Sequence, residues 1–93
     1  MAKTVCKTNV RRALRESYEF MKVWSDTHYW AAVNDEWQVT LDFNPNWGWR
    51  AYANHISNES TINTCWVILW TSMTDLLDEL APIMTDAIIK EMV

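Results

Sequence analysis

Chemistry at a protein site needs convergent reactive groups, and this chain offers few. Its metal-binding and nucleophilic side chains are His28, His55, Cys6 and Cys65, spread at separations that match no zinc-ligand pattern. A thiol–imidazole pair of Cys65 with either histidine would require distant segments to meet. Cys65 lies in an apolar run, where a reduced cysteine acts as a small hydrophobe, so the expected roles are a core thiol and edge or loop histidines. Asp35 and Glu36 are adjacent on a turn and point apart, unlike a general acid and base. One glycine, Gly48, cannot build a phosphate-cradling loop, and no nucleophile elbow or zincin helix is legible. The expectation is no metal, no cofactor and no enzyme.

Binding chemistry is better supplied. The chain holds seven tryptophans. Trp24, Trp37, Trp66 and Trp70 fall on faces that predict core. Trp47 and Trp49 flank Gly48 in a turn, where burial is hard to arrange, and Arg50 follows. Exposed tryptophan beside arginine is the composition of a binding hot spot; the competing reading has the turn folding back to plug the end of the sheet. Charge is split along the chain. Residues 1–22 hold six basic side chains against Glu16 and Glu19, whereas the remainder holds Arg50 and Lys90 against ten acids, for a net charge of −4. Arg11, Arg12, Arg15 and Lys22 could contact phosphates; the bland alternative is the solvated face of an amphipathic helix. Asp75, Asp78, Glu79 and Asp86 form an acidic row that could occupy the positive groove of a nucleic-acid-binding partner, or simply keep a helix soluble.

These groups must be positioned by elements the pattern specifies. Val10, Ala13, Leu14, Tyr18, Met21 and Trp24 recur at spacings of three and four, predicting a helix over 9–25 capped by Thr8 or Asn9, with Arg12–Glu16 and Arg15–Glu19 as surface pairs. Ser25-Asp26-Thr27 breaks it. Residues 28–33 and 36–43 predict a hairpin turned by Asn34-Asp35, with Trp37, Val39, Leu41 and Phe43 on one face and Gln38, Thr40 and Asp42 on the other. After Asn44-Pro45-Asn46, residues 49–54 return as a third strand or form a helical turn; 55–63 reads as a polar loop. Cys65–Trp70 reads as a strand in preference to a helix, because Ser72 looks like the cap of a new helix, with Asp75 reaching back. Pro82 is placed as the first residue of a second helix, 82–92.

The resulting expectation is a single α+β domain over 1–93. It has an N-terminal helix, a three- to four-stranded antiparallel sheet, and one or two C-terminal helices packed on the sheet. No apolar run approaches the ~18–20 residues of a membrane span, no signal peptide is legible, and the two cysteines do not make a disulfide framework. In size, acidity and lack of any family motif the chain resembles the small inhibitors carried by phages and mobile elements, such as anti-CRISPR or anti-restriction proteins, and toxin-neutralising immunity proteins. That resemblance of kind implies a cytoplasmic protein that binds and blocks a protein target, such as a nucleic-acid-binding host complex. The alternatives are a nucleic-acid-binding accessory protein that uses the basic helix and a structural homo-oligomeric subunit.

Overall fold

A computed structural model describes residues 5–23, 29–57, 61–64 and 72–92. The expected strand at 65–70, the core roles of Trp24, Trp66 and Trp70, the break at 25–27, and the positions of His28 and Cys65 lie outside those residues. In chain order the elements are α1 (Lys7–Val23), β1 (Ala31–Ala32), β2 (Trp37–Asn44), β3 (Gly48–His55), β4 (Thr61–Asn63) and α2 (Met73–Met92). The strands form one antiparallel meander in the order β1-β2-β3-β4. Both helices pack on the sheet and on each other, α1 against β1 and β2, α2 against β3 and β4. This is the α+β arrangement that the pattern predicts.

The core follows from strand alternation and helix periodicity. Trp37, Val39 and Leu41 from β2 and Ala51 and Ala53 from β3 are buried; so are Val10, Ala13 and Leu14 of α1 and Leu76, Leu77, Leu80, Ala81, Met84 and Ile88 of α2. Residues 49–54 form a strand and not a helical turn, despite the alanines at 51 and 53. Their small side chains let α2 approach β3, and the register sets Ala53 opposite Val39 and Ala51 opposite Leu41. Trp37 faces His55 across the same pair and meets its ring edge-on at 5.0 Å. His55 is therefore part of an aromatic contact in the sheet.

Helix α1 begins two residues earlier than expected. The amide of Val10 donates to the Cys6 carbonyl (3.1 Å), which makes Cys6, not Thr8 or Asn9, the cap residue. Val5 and Val10 are both buried on either side of that start, the spacing of a hydrophobic staple, and burial rather than a capping hydroxyl sets the entry. At the other helix Ser72 caps as expected, the Asp75 amide donating to Ser72 Oγ (3.1 Å), but among the described residues the Asp75 carboxylate does not reach back to complete the box.

Two further expectations are overturned. Helix α2 runs through Pro82 without interruption. A proline removes the hydrogen bond to the carbonyl four residues back, here Asp78, at about 3 kcal/mol in a helix interior. Met84 and Ile88 beyond it are fully buried, each contributing about 1.5–3 kcal/mol. They lie on the same stripe as Leu76, Leu77 and Leu80, so one helix buries more than two. The polar stretch 55–63 likewise contains β4. As an edge strand it needs only Ile62 to face inward, opposite Ala53, while Thr61 and Asn63 are exposed.

Candidate functional site

The β2–β3 hairpin sets the geometry of the tryptophan turn. Asn44 pairs with Gly48. The Trp47 amide donates to the Asn44 carbonyl (3.1 Å), and the Asn46 amide to Asn44 Oδ1 (2.8 Å). Gly48 follows at φ 104°, a conformation that a side chain would strain. Trp47 is thereby thrown outward and is 64% exposed. Trp49, two residues on, turns toward α1. Its ring lies 5.3 Å from that of Tyr18 and 4.8 Å from that of Phe43, its cross-strand partner. The plug and the exposed anchor are thus separate residues: Trp49 packs, Trp47 does not.

Phe43 departs from the expected pattern. It lies on the apolar face of β2, but is 42% exposed because that end of the strand projects past the buried core. Between it and the C-terminal part of α1 is an apolar groove of about 300 Å³, lined by Tyr18, Met21, Lys22, Phe43 and Trp49. The exposed Trp47 is at the hairpin tip, two residues before the lining residue Trp49. Sequence reasoning missed Tyr18, Met21 and Phe43 as surface groups. Each falls on an apolar face, and only the lengths of α1 and β2 relative to the core decide where burial stops.

Arg50 does not join this patch. Strand alternation sends it to the opposite face of the sheet, where its Nε lies 3.2 Å from Asp42 Oδ2 and its guanidinium sits 4.8 Å from the Tyr52 ring centroid. The Tyr52 hydroxyl donates to the same carboxylate oxygen (3.4 Å). Burial is the main cause of a Tyr52 pKa above the usual phenol value; Arg50 opposes the shift, and the charge of Asp42 and its hydrogen bond add to it. Trp30, Thr40, Asp42, Tyr52 and Thr61 surround a second depression of about 450 Å³ on this face.

No family model matches this chain, no curated protein matches it, and no solved structure matches it. The reading of the site rests on its own geometry.

The charged candidates divide in a similar way. Asp75, Asp78, Glu79 and Asp86 are all exposed on α2, but Asp78 Oδ1 accepts from Arg11 Nε at 3.2 Å across the α1–α2 seam. Arg12 Nη1 donates to Glu16 Oε2 at 3.1 Å, and Arg15 Nε lies 3.7 Å from Glu19 Oε2, as their spacing predicts. Lys7, Thr8, Arg11, Arg12 and Arg15 border a shallow hollow on the outer side of α1. Lys22 is apart from them, at the apolar groove. Among the described residues no group of three or more His, Cys, Asp or Glu could hold a metal ion, and no helix is long and apolar enough to cross a membrane.

Proposed function

We propose that this chain is a small cytoplasmic protein that works by binding another protein and blocking it, in the manner of the inhibitors that phages and mobile elements carry against host defence systems or of toxin-neutralising immunity proteins. It acts as a binder and not as a catalyst. The observation that carries the reading is the hairpin tip: Trp47, 64% exposed, in the turn that leads into Trp49, which walls an open groove of aromatic rings and a methionine. A large rigid aromatic held outward by a fixed turn gives contact area at little entropic expense, which is the property of an interface anchor. The exposed acids Asp75, Glu79 and Asp86 on α2 add a charged surface that would speed encounter with a basic partner. The pairing of Arg11, Arg12 and Arg15 with carboxylates offsets part of the positive charge on that face, which weighs for a protein partner over nucleic acid.

The test is capture of a partner from bacterial lysate with the wild-type chain, followed by affinity measurement with Trp47→Ala. Loss of the anchor should weaken binding by about 2–4 kcal/mol, mostly through faster dissociation. A folded Trp47→Ala variant that binds as tightly as wild type would reject the hairpin tip as the docking surface. Salt-sensitive binding of DNA or RNA by the wild-type chain, lost in an Arg11, Arg12 and Arg15 triple alanine variant, would move the nucleic-acid reading ahead. A concentration-dependent dimer with no other partner would favour the oligomeric one.

A further inference from the structure

The apolar groove walled by Trp49 is uncharged except at one lip. All four arginines of the chain are in ion pairs: Arg11 with Asp78, Arg12 with Glu16, Arg15 with Glu19 and Arg50 with Asp42. Lys22 has no hydrogen-bond or ion-pair partner among the described residues, and it is the charged member of the groove lining. A lysine in that position can lay its methylene stem along apolar surface and keep its ammonium at the rim. The low-polarity wall beside it strengthens any ion pair made there relative to one on open surface. The groove, at about 300 Å³, lies at the small end of the ~300–1,000 Å³ range of ligand sites. It has room for a large side chain, and not for a whole helix. Its walls of aromatic rings and a methionine suit an apolar occupant and adapt to its shape.

We propose that the groove receives an apolar or aromatic side chain from a partner segment that carries a carboxylate within about one helical turn of it, and that this carboxylate pairs with Lys22. The proposal rests on the protein-binding reading above and specifies the chemistry of the docking segment alone: an acidic segment with an apolar anchor, on a partner whose surface facing α2 is basic. Phe43 and Trp49 wall the inserted side chain, and Lys22 selects for the acid beside it.

The test uses a displayed library of random short peptides selected on the full-length chain, with Phe43→Ala as the counter-selection. Phe43 is exposed enough that its truncation should leave the fold intact, which a thermal melt checks. Enriched peptides should pair Phe, Trp, Leu or Met with a nearby Asp or Glu. A synthetic copy should bind at least about tenfold more weakly to Lys22→Glu, and exchanging its acid for lysine should restore binding to that variant. Lys22 is exposed, so Lys22→Glu reads the proposal even if Phe43→Ala fails to fold. Enriched peptides without acids, or indifferent to Lys22→Glu, would overturn the acidic-partner assignment and leave the docking surface standing. A library that yields no peptide sensitive to Phe43→Ala or Trp47→Ala would overturn both.

Discussion

Ser17 shows how much one side chain can settle. It sits on the apolar stripe of α1 and is fully buried. β1 pairs with β2 only at Val39 and Gln38, so the next outward-facing amide of β2, that of Leu41, has no strand partner. Ser17 Oγ accepts it at 3.1 Å and lies 3.2 Å from Thr40 Oγ1. A helix hydroxyl thus finishes the edge that a two-residue strand leaves open. Ser17→Ala should destabilise the fold by about 1–3 kcal/mol in denaturant unfolding, because it strands a buried N–H. Tyr52 supplies a pH signature. Its pKa is raised above the ordinary 10.0, so folding favours the protonated phenol. That contribution is fully present below about pH 10 and is lost as pH rises through the folded value. Melts taken between about pH 9 and 11 should therefore fall less steeply for Tyr52→Phe than for wild type.

At the scale of elements, α2 carries the clearest conflict between local propensity and packing. Pro82 is half-buried on a helix whose buried residues continue on both sides of it. Pro82→Ala should restore the missing amide donor and raise stability by about 1–3 kcal/mol, read as a higher denaturation midpoint with an unchanged slope. A loss of stability would mean that the proline's own packing outweighs its backbone defect. The β2–β3 hairpin carries the opposite lesson. There local chemistry agrees with the fold at every step: an Asn44 side chain closing the turn, Pro45 fixing one dihedral, and Gly48 taking the positive φ. That agreement makes the tip a rigid platform for Trp47.

Across the whole molecule, the basic first segment and the acidic remainder do not form two isolated surfaces. They meet where α1 packs on α2, at the Arg11–Asp78 pair. Its side chains are 36% and 63% exposed, so the pair adds at most about 1 kcal/mol, and the seam is held by apolar packing. Asp75, Glu79 and Asp86 have no ion-pair partner among the described residues, and the proposed encounter surface is tested on them. Reversing Asp75, Glu79 and Asp86 to lysine should slow association with the captured partner, and the deficit should shrink at high salt; truncating Trp47 should act on dissociation and be insensitive to salt. Stopped-flow association at two ionic strengths separates these effects. An acid-reversed variant with unchanged association would remove α2 from the encounter surface.

Much of this architecture was already specified by period and punctuation. Alternation from Trp37 to Leu41, the helical spacing from Val10 to Met21, the Asn34 and Asn44 turns and the Ser72 cap are local signals, and the chain obeys them because each agrees with the burial around it. The surface pairs Arg12–Glu16 and Arg15–Glu19 were legible for the same reason; at the tryptophan turn the exposed anchor and the plug stayed open, and the hairpin assigns one to Trp47 and the other to Trp49. Other features depend on what lies across the core. Pro82 stays in a helix because the sheet and α1 bury both of its halves. The polar residues 61–63 become an edge strand because β3 offers free amides. Trp49 and Arg50, neighbours in sequence, are sent to opposite faces by the pleat. The groove could not be read from one segment at all: Tyr18, Met21 and Lys22 come from α1, Phe43 and Trp49 from the hairpin, and each looks like core or solvated surface on its own. Whether an apolar side chain ends in the core or at its rim is fixed by where neighbouring elements stop, and that is a property of the tertiary structure alone.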